Sequence, residues 1–175
     1  RTAGATRGRY PRARDFLMSS AFVREQDDTI SPTDLGERPV SQHRNLVTRN
    51  GLTMIDTEIA VLKEELARAE AAAERDRIMR ASRDLRYWMA RRETAEMSIP
   101  DANSTVVRFG MTVTLAGDDD SEHVWKIVGE DEADASNGKI SHVSPLAVAL
   151  FGKAVGDTVE VNGHEWEIVS LDAVD

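Results

Sequence analysis

The chain has no cysteine, so disulfides and thiolate metal sites are excluded and a reducing compartment suits it. It has no run of about 18 apolar residues, which excludes a membrane-spanning helix and fits the expectation of a cytoplasmic protein. No GxxxxGK[ST] phosphate loop is present. The histidines, His43, His123, His142 and His164, lie far apart with no ligand spacing, so no bound metal is expected. Asp134 to Gly138 looks faintly like a calcium loop. Counting back from the glycine, however, puts Ala133 and Ala135 where the first carboxylates must stand. No hydrolytic or redox constellation remains.

What is there is charge, unevenly spread. The 175 residues carry a net charge of −9. Residues 1–17 hold five Arg against one Asp, net +4, while residues 105–175 hold four basic against fourteen acidic residues, net −10. An acidic globular half repels a phosphate backbone, which excludes direct sequence-specific nucleic-acid binding and points to a protein partner. The Arg-rich opening has no apolar segment and reads as a disordered or non-native tail upstream of Met18. Residues 1–50 as a whole read as tail and extended leader, because Pro32, Gly36 and Pro39 forbid a long helix.

From Leu52 the pattern becomes helical. Leu52, Ile55, Ile59, Leu62, Leu66, Ala69 and Ala73 alternate in steps of three and four, a coiled-coil seam. Beyond it the apolar positions return out of phase, as Ile78, Ala81, Leu85 and Trp88. A phase break at Glu74–Arg77, midway through residues 51–98, predicts a chain reversal and two antiparallel arms. The charges agree. Residues 51–74 carry two basic and six acidic side chains, net −4; residues 75–98 carry seven basic and four acidic, net +3. The alternative, one unbroken helix that dimerises, stays open because no Gly or Pro marks the turn; solution mass separates the two. Pro100 and the following residues form a linker, 99–104.

Residues 105–175 read as a small sheet domain. MTVTL and HVWKIVG are strand-like. Ser144 followed by Pro145 is a helix start, Leu146–Phe151 the helix, and Gly152 its close. Asn162-Gly163 between alternating residues predicts a two-residue hairpin in which Val159 opposes Trp166 and Glu160 opposes Glu165.

FGMTVTL from Phe109, IVGEDEAD from Ile127, GKIS from Gly138 and SPLAVALFGKAVGD from Ser144 stand in an order that resembles the C-terminal domain of Gre-type bacterial transcription elongation factors. The leader resembles that of a short-coil branch of the same family. The resemblance implies an α+β fold: an antiparallel helical hairpin followed by a small FKBP-like antiparallel β-sheet domain with one short helix. It also implies RNA polymerase core enzyme as partner. The sheet domain would dock at the rim of the secondary channel through a surface for which Asp134, Lys139, Ser141, Ser144 and Pro145 are the natural candidates.

In the family's cleavage-stimulating members, a long hairpin presents two tip carboxylates, within a motif like GDLSENAEY, that hold a second Mg2+ in the polymerase active site. This chain lacks that motif, and RDLRYW at Arg83–Trp88 sits mid-arm. Its arms of about 22 residues span roughly 33 Å, short of the long-coil members by around 16 Å. Glu70, Glu74 and Asp76 are the only tip carboxylates on offer. Expected, then, is a monomeric regulator of elongation that binds no cofactor stably. It either stimulates the polymerase's own cleavage or occupies the channel as a competitor. A peptidyl-prolyl isomerase is the alternative from another class, opposed by a ring supply limited to Phe109, Trp125, Phe151 and Trp166.

Overall fold

A computed structural model describes residues 36–117 and 121–173. The Arg-rich opening, Met18, the first leader piece and Asp118–Asp120 lie outside them. Among the described residues no helix is long and apolar enough to cross a membrane.

Two helices form the hairpin, α1 (Arg49–Ala71) and α2 (Arg75–Glu93). Thr48 caps α1, its hydroxyl accepting from the Gly51 amide at 2.9 Å. The seam residues face inward: Ile55, Ala69 and Ala81 are fully buried, and Leu62, Leu66, Ile78, Leu85 and Trp88 are half-buried. Arg92 pairs with Asp56 at 2.6 Å and Arg77 with Glu65 at 2.6 Å, so acid on α1 meets base on α2. The chain reverses between the helices, and the unbroken rod is thereby ruled out.

The reversal needs no glycine because Ala73 takes a left-handed conformation at φ 55. The Glu74 amide reaches Ala69 O at 3.0 Å and the Ala73 amide reaches Glu70 O at 3.1 Å, closing the last turn of α1. An alanine there carries the steric cost of its Cβ. Ala73→Gly is therefore expected to raise stability by about 1 kcal/mol, net of the backbone entropy that glycine adds to the unfolded chain. Urea denaturation should show a higher midpoint at unchanged slope. A lower midpoint would mean that the turn is unstrained.

The second helix ends at Glu93 rather than at residue 98. Asn45 Nδ2 donates to Arg91 O at 2.6 Å and to Thr94 Oγ1 at 3.1 Å, taking up the last-turn groups from the side. The chain then forms β2 (Glu96–Met97), parallel to β1 (Leu46–Val47). The end of the leader is thus structured by pairing across the hairpin base, a partner that its own prolines and glycine do not reveal.

The second part is a five-stranded sheet of β3 (Thr112–Gly117), β4 (Glu122–Val128), β5 (Lys139–Ser141), β6 (Thr158–Val161) and β7 (His164–Asp172), ordered β5-β4-β3-β7-β6. The antiparallel expectation is corrected at one edge, where β5 runs parallel to β4. The intervening segment, which includes a 3-10 turn at Ala135–Asn137, carries the chain back so that β5 begins with Lys139 beside Lys126 and runs along the last three residues of β4. The β6–β7 hairpin has the expected register, Val159 opposite Trp166 and Glu160 opposite Glu165, with Asn162 and Gly163 both at positive φ. Helix α3 (Pro145–Leu150) is capped by Ser144, whose Oγ accepts from the Ala147 amide at 3.3 Å. It covers a core of Val107, Phe109, Val113, Leu115, Ile127 and Ile168.

Candidate functional site

Three places bear on function: the hairpin tip, the edge of the sheet around β5, and the joint between hairpin and sheet.

At the tip, Glu70 lies exposed in the last turn of α1, and Asp76 lies in the first turn of α2, where the helix dipole favours a negative charge. Glu74, between the helices, gives a carboxylate oxygen to Arg77 at 2.6 Å. Arg77 is held from the other side by Glu65, and these two hydrogen-bonded carboxylates push its pKa further up. An open depression here is lined by Ala73, Glu74, Arg75, Asp76, Arg77 and Arg80. Three guanidinium groups therefore share the surface with two of the three candidate carboxylates. Magnesium demands several oxygen ligands in near-octahedral array. Among the described residues no group of three or more His, Cys, Asp or Glu is placed to hold a metal ion. Glu74 is thus paired with Arg77 at an exposed surface that also holds Arg75 and Arg80.

Of the five candidates, Lys139 and Ser141 lie on the edge strand β5, Asp134 caps the 3-10 turn before it, and Ser144 and Pro145 begin α3 after it. Asp134 and Lys139 form an isolated bridge. The Asp134 carboxylate accepts from Ser136 Oγ at 2.5 Å and Asn137 Nδ2 at 2.6 Å, and these hydrogen bonds hold its pKa down. They build the 3-10 turn that the sequence displays as a failed calcium loop. Lys139 Nζ donates to Glu132 at 3.1 Å. Ser141 Oγ accepts from the Val143 amide at 3.3 Å, and Ser144 caps α3. Pro145 stands exposed at the first helical position, with Val148 exposed in the same helix. Each polar side chain of this group thus has an internal partner, and Asp134 and Pro145 are the members that stand exposed.

The joint was not foreseen. The loop after β4 places Glu130, Asp131 and Glu132 against the base of the hairpin. Asp131 accepts from Tyr87 Oη at 2.5 Å and pairs with Arg91 Nε at 2.5 Å, with Glu130 3.7 Å from the same guanidinium. Arg91 is 1% exposed. Burial, reinforced by Asp131, pushes the Tyr87 hydroxyl up to about 12, so it remains a donor. Glu132 accepts from the Thr48 hydroxyl, from Asn50 Nδ2 at 3.1 Å and from Lys139. Burial opposes its ionisation, but these donors outweigh burial and hold its pKa below the ordinary value.

Two glycines allow the approach. A Cβ on Gly129 would lie 2.6 Å from Leu46 O, and one on Gly51 would lie 2.8 Å from Glu132 Oε2. His142 closes the neighbouring gap, its Nε2 donating to Arg44 O at 3.2 Å and its ring edge-on to Phe109. The available signal was the density of acid in GEDEAD beside an arm with seven basic residues. Nothing in the pattern says which arginine receives it.

Comparison with known proteins follows the same division. Residues 102–172 match the family described as "Transcription elongation factor, GreA/GreB, C-term". The chain is 37% identical over 138 residues to the transcription elongation factor GreA of Methylobacterium sp. (strain 4-46), covering 74% of this chain and 86% of that protein. It is 43% identical over 93 residues to GreA of Brucella anthropi, covering 50% of this chain and 58% of that one. Among solved structures, it is similar to the GreA factor homolog 1 (Gfh1) of Thermus thermophilus, with a TM-score of 0.36 at 16% identity over 74% of this chain and 99% of the other. It is also similar to a GreA/GreB factor from Nitrosomonas europaea, with a TM-score of 0.37 at 24% identity over 73% and 98%. Scores this low do not bear on how the two parts are arranged.

Proposed function

Because the chain belongs to the GreA/GreB family of transcription elongation factors, we propose that it regulates bacterial transcription elongation by binding RNA polymerase core enzyme at the secondary channel. The sheet part docks, through the edge that holds Asp134, Lys139, Ser141, Ser144 and Pro145, and the hairpin enters. It catalyses no reaction of its own and acts as a cytoplasmic monomer. Within that function the tip favours occupancy over stimulation of cleavage. The observation that carries this is the Glu74–Arg77 pair amid Arg75 and Arg80, on a first arm of 23 residues that spans about 34 Å. A carboxylate bound by arginine is a poor ligand for a metal in another protein's active site, and a short arm leaves the metal beyond its reach. Any Mg2+ belongs to the polymerase.

The isomerase alternative is not favoured. Phe109 is buried in the core and Trp125, Phe151 and Trp166 pack against it, so these rings are committed to packing rather than to lining a proline pocket.

Two measurements on polymerase test the reading. Core enzyme should retain this protein in a pull-down and release it when a long-coil cleavage factor is added in excess. Stalled complexes should show no faster transcript cleavage in its presence. No retention would sink the polymerase reading. Acceleration that disappears in Glu74→Ala and Asp76→Ala would replace occupancy with donation of tip carboxylates.

A further inference from the structure

We infer that Asp131 is a positioning residue that sets the angle between hairpin and sheet, so that the two parts meet their partner as one pre-set body. The loop after β4 spends one carboxylate on each helix. Asp131 holds α2 through Tyr87 and Arg91, which stand one turn apart on the same helix face. Glu132 holds the start of α1 through Thr48 and Asn50. The two Asp131 oxygens take different donors, Oδ1 from Tyr87 and Oδ2 from Arg91, so the carboxylate is fixed in its own plane as well as in position.

On its other side the Tyr87 ring is covered by the Arg38 guanidinium, 3.8 Å from the ring centroid, and Glu37 pairs with Arg86 at 2.5 Å. The leader thereby backs the same contact. Leverage makes the joint matter. On an arm of about 34 Å, a rotation of about 10° at the base moves the tip by about 6 Å, twice the length of a hydrogen bond. A loose joint would scatter the tip across distances that decide whether it enters a channel.

The inference draws on the polymerase reading only for its consequence, and its test needs no polymerase. With no native cysteine, Ala67→Cys on α1 and Glu160→Cys on β6, both exposed, can carry spin labels in the otherwise full chain. Pulsed dipolar spectroscopy should give one narrow distance peak for this parent. Tyr87→Phe should broaden the peak, and Asp131→Asn should broaden it further, while the helical circular dichroism of both stays at the parent level. Distributions for folded variants that superimpose on the parent's would overturn the inference. If Asp131→Asn fails to fold, Tyr87→Phe decides alone, since it removes one hydroxyl and leaves the Arg91–Asp131 pair. Failure of the pull-down, by contrast, removes the polymerase reading and leaves the distances to judge the joint.

Discussion

Arg91→Ala should cost about 3–5 kcal/mol of stability, the range for removing one partner from a buried ion pair. Arg91 is fully enclosed, and its loss leaves Asp131, with Glu130 3.7 Å from the same guanidinium, facing a site without a cation. The cost arises less from the attraction that is lost than from the charge left behind. A second variant separates these contributions. In Arg91→Met combined with Asp131→Asn and Glu130→Gln the charges leave together, and the loss should fall well below that of Arg91→Ala. Urea denaturation of the two variants provides the comparison. Equal losses would mean that Arg91 matters through the packing of its stem.

Leu115→Ala should cost about 2–5 kcal/mol, through lost burial and the cavity left in the sheet core. Leu115 is completely buried among Val107, Phe109, Val113, Ile127 and Ile168, with Ala147 and Leu150 of α3 closing the core. Leu62→Ala makes the contrast, because Leu62 is half-buried in the hairpin seam and water can enter the space it vacates; its loss should lie at or below the lower end of that range. The hairpin has little core of its own: Gly51, Ile55, Ala69, Ala81 and Arg91 are its buried residues. Most of the stability of a helix in a protein comes from tertiary packing of its apolar face rather than from propensity. In a Trp88→Phe background, where the remaining Trp125 and Trp166 lie in the sheet, helical circular dichroism should therefore be lost in the same transition as tryptophan fluorescence, and Leu115→Ala should move both together. Helix signal that survives above the sheet transition would show the hairpin to be independently stable.

Local rules made much of this chain legible. Asn162-Gly163 dictates a two-residue turn, and turn length dictates register, so the pairs Val159–Trp166 and Glu160–Glu165 could be written from sequence. The slip in apolar phase past Ala73 places the reversal within a few residues, because a seam that changes phase cannot remain one stripe on a straight helix. Ser144 and Pro145 mark a helix start by the same kind of short-range chemistry. The parallel placing of β5, the pairing of β1 with β2 and the end of α2 at Glu93 depend on segments distant in the chain, and no local period records them.

The tip carboxylates show the same limit. Glu70, Glu74 and Asp76 are visible as acids near a turn, but whether one is available as a ligand depends on the neighbouring guanidinium groups, and Arg77 takes Glu74. The sequence by itself determined the β6–β7 register, the cap of α3, the phase break between two apolar stripes and the resemblance to an elongation-factor family, all of which rest on spacing within one segment or on the order of short motifs; that the chain turns back at the break was decided by the structure. Only the tertiary structure decided that GEDEAD is an internal mount and that Arg91, alone among the basic residues of its arm, lies buried beneath it. Contacts across 40 residues are set by how two packed units come to rest on each other, and a one-dimensional pattern of charge assigns no partner at that distance.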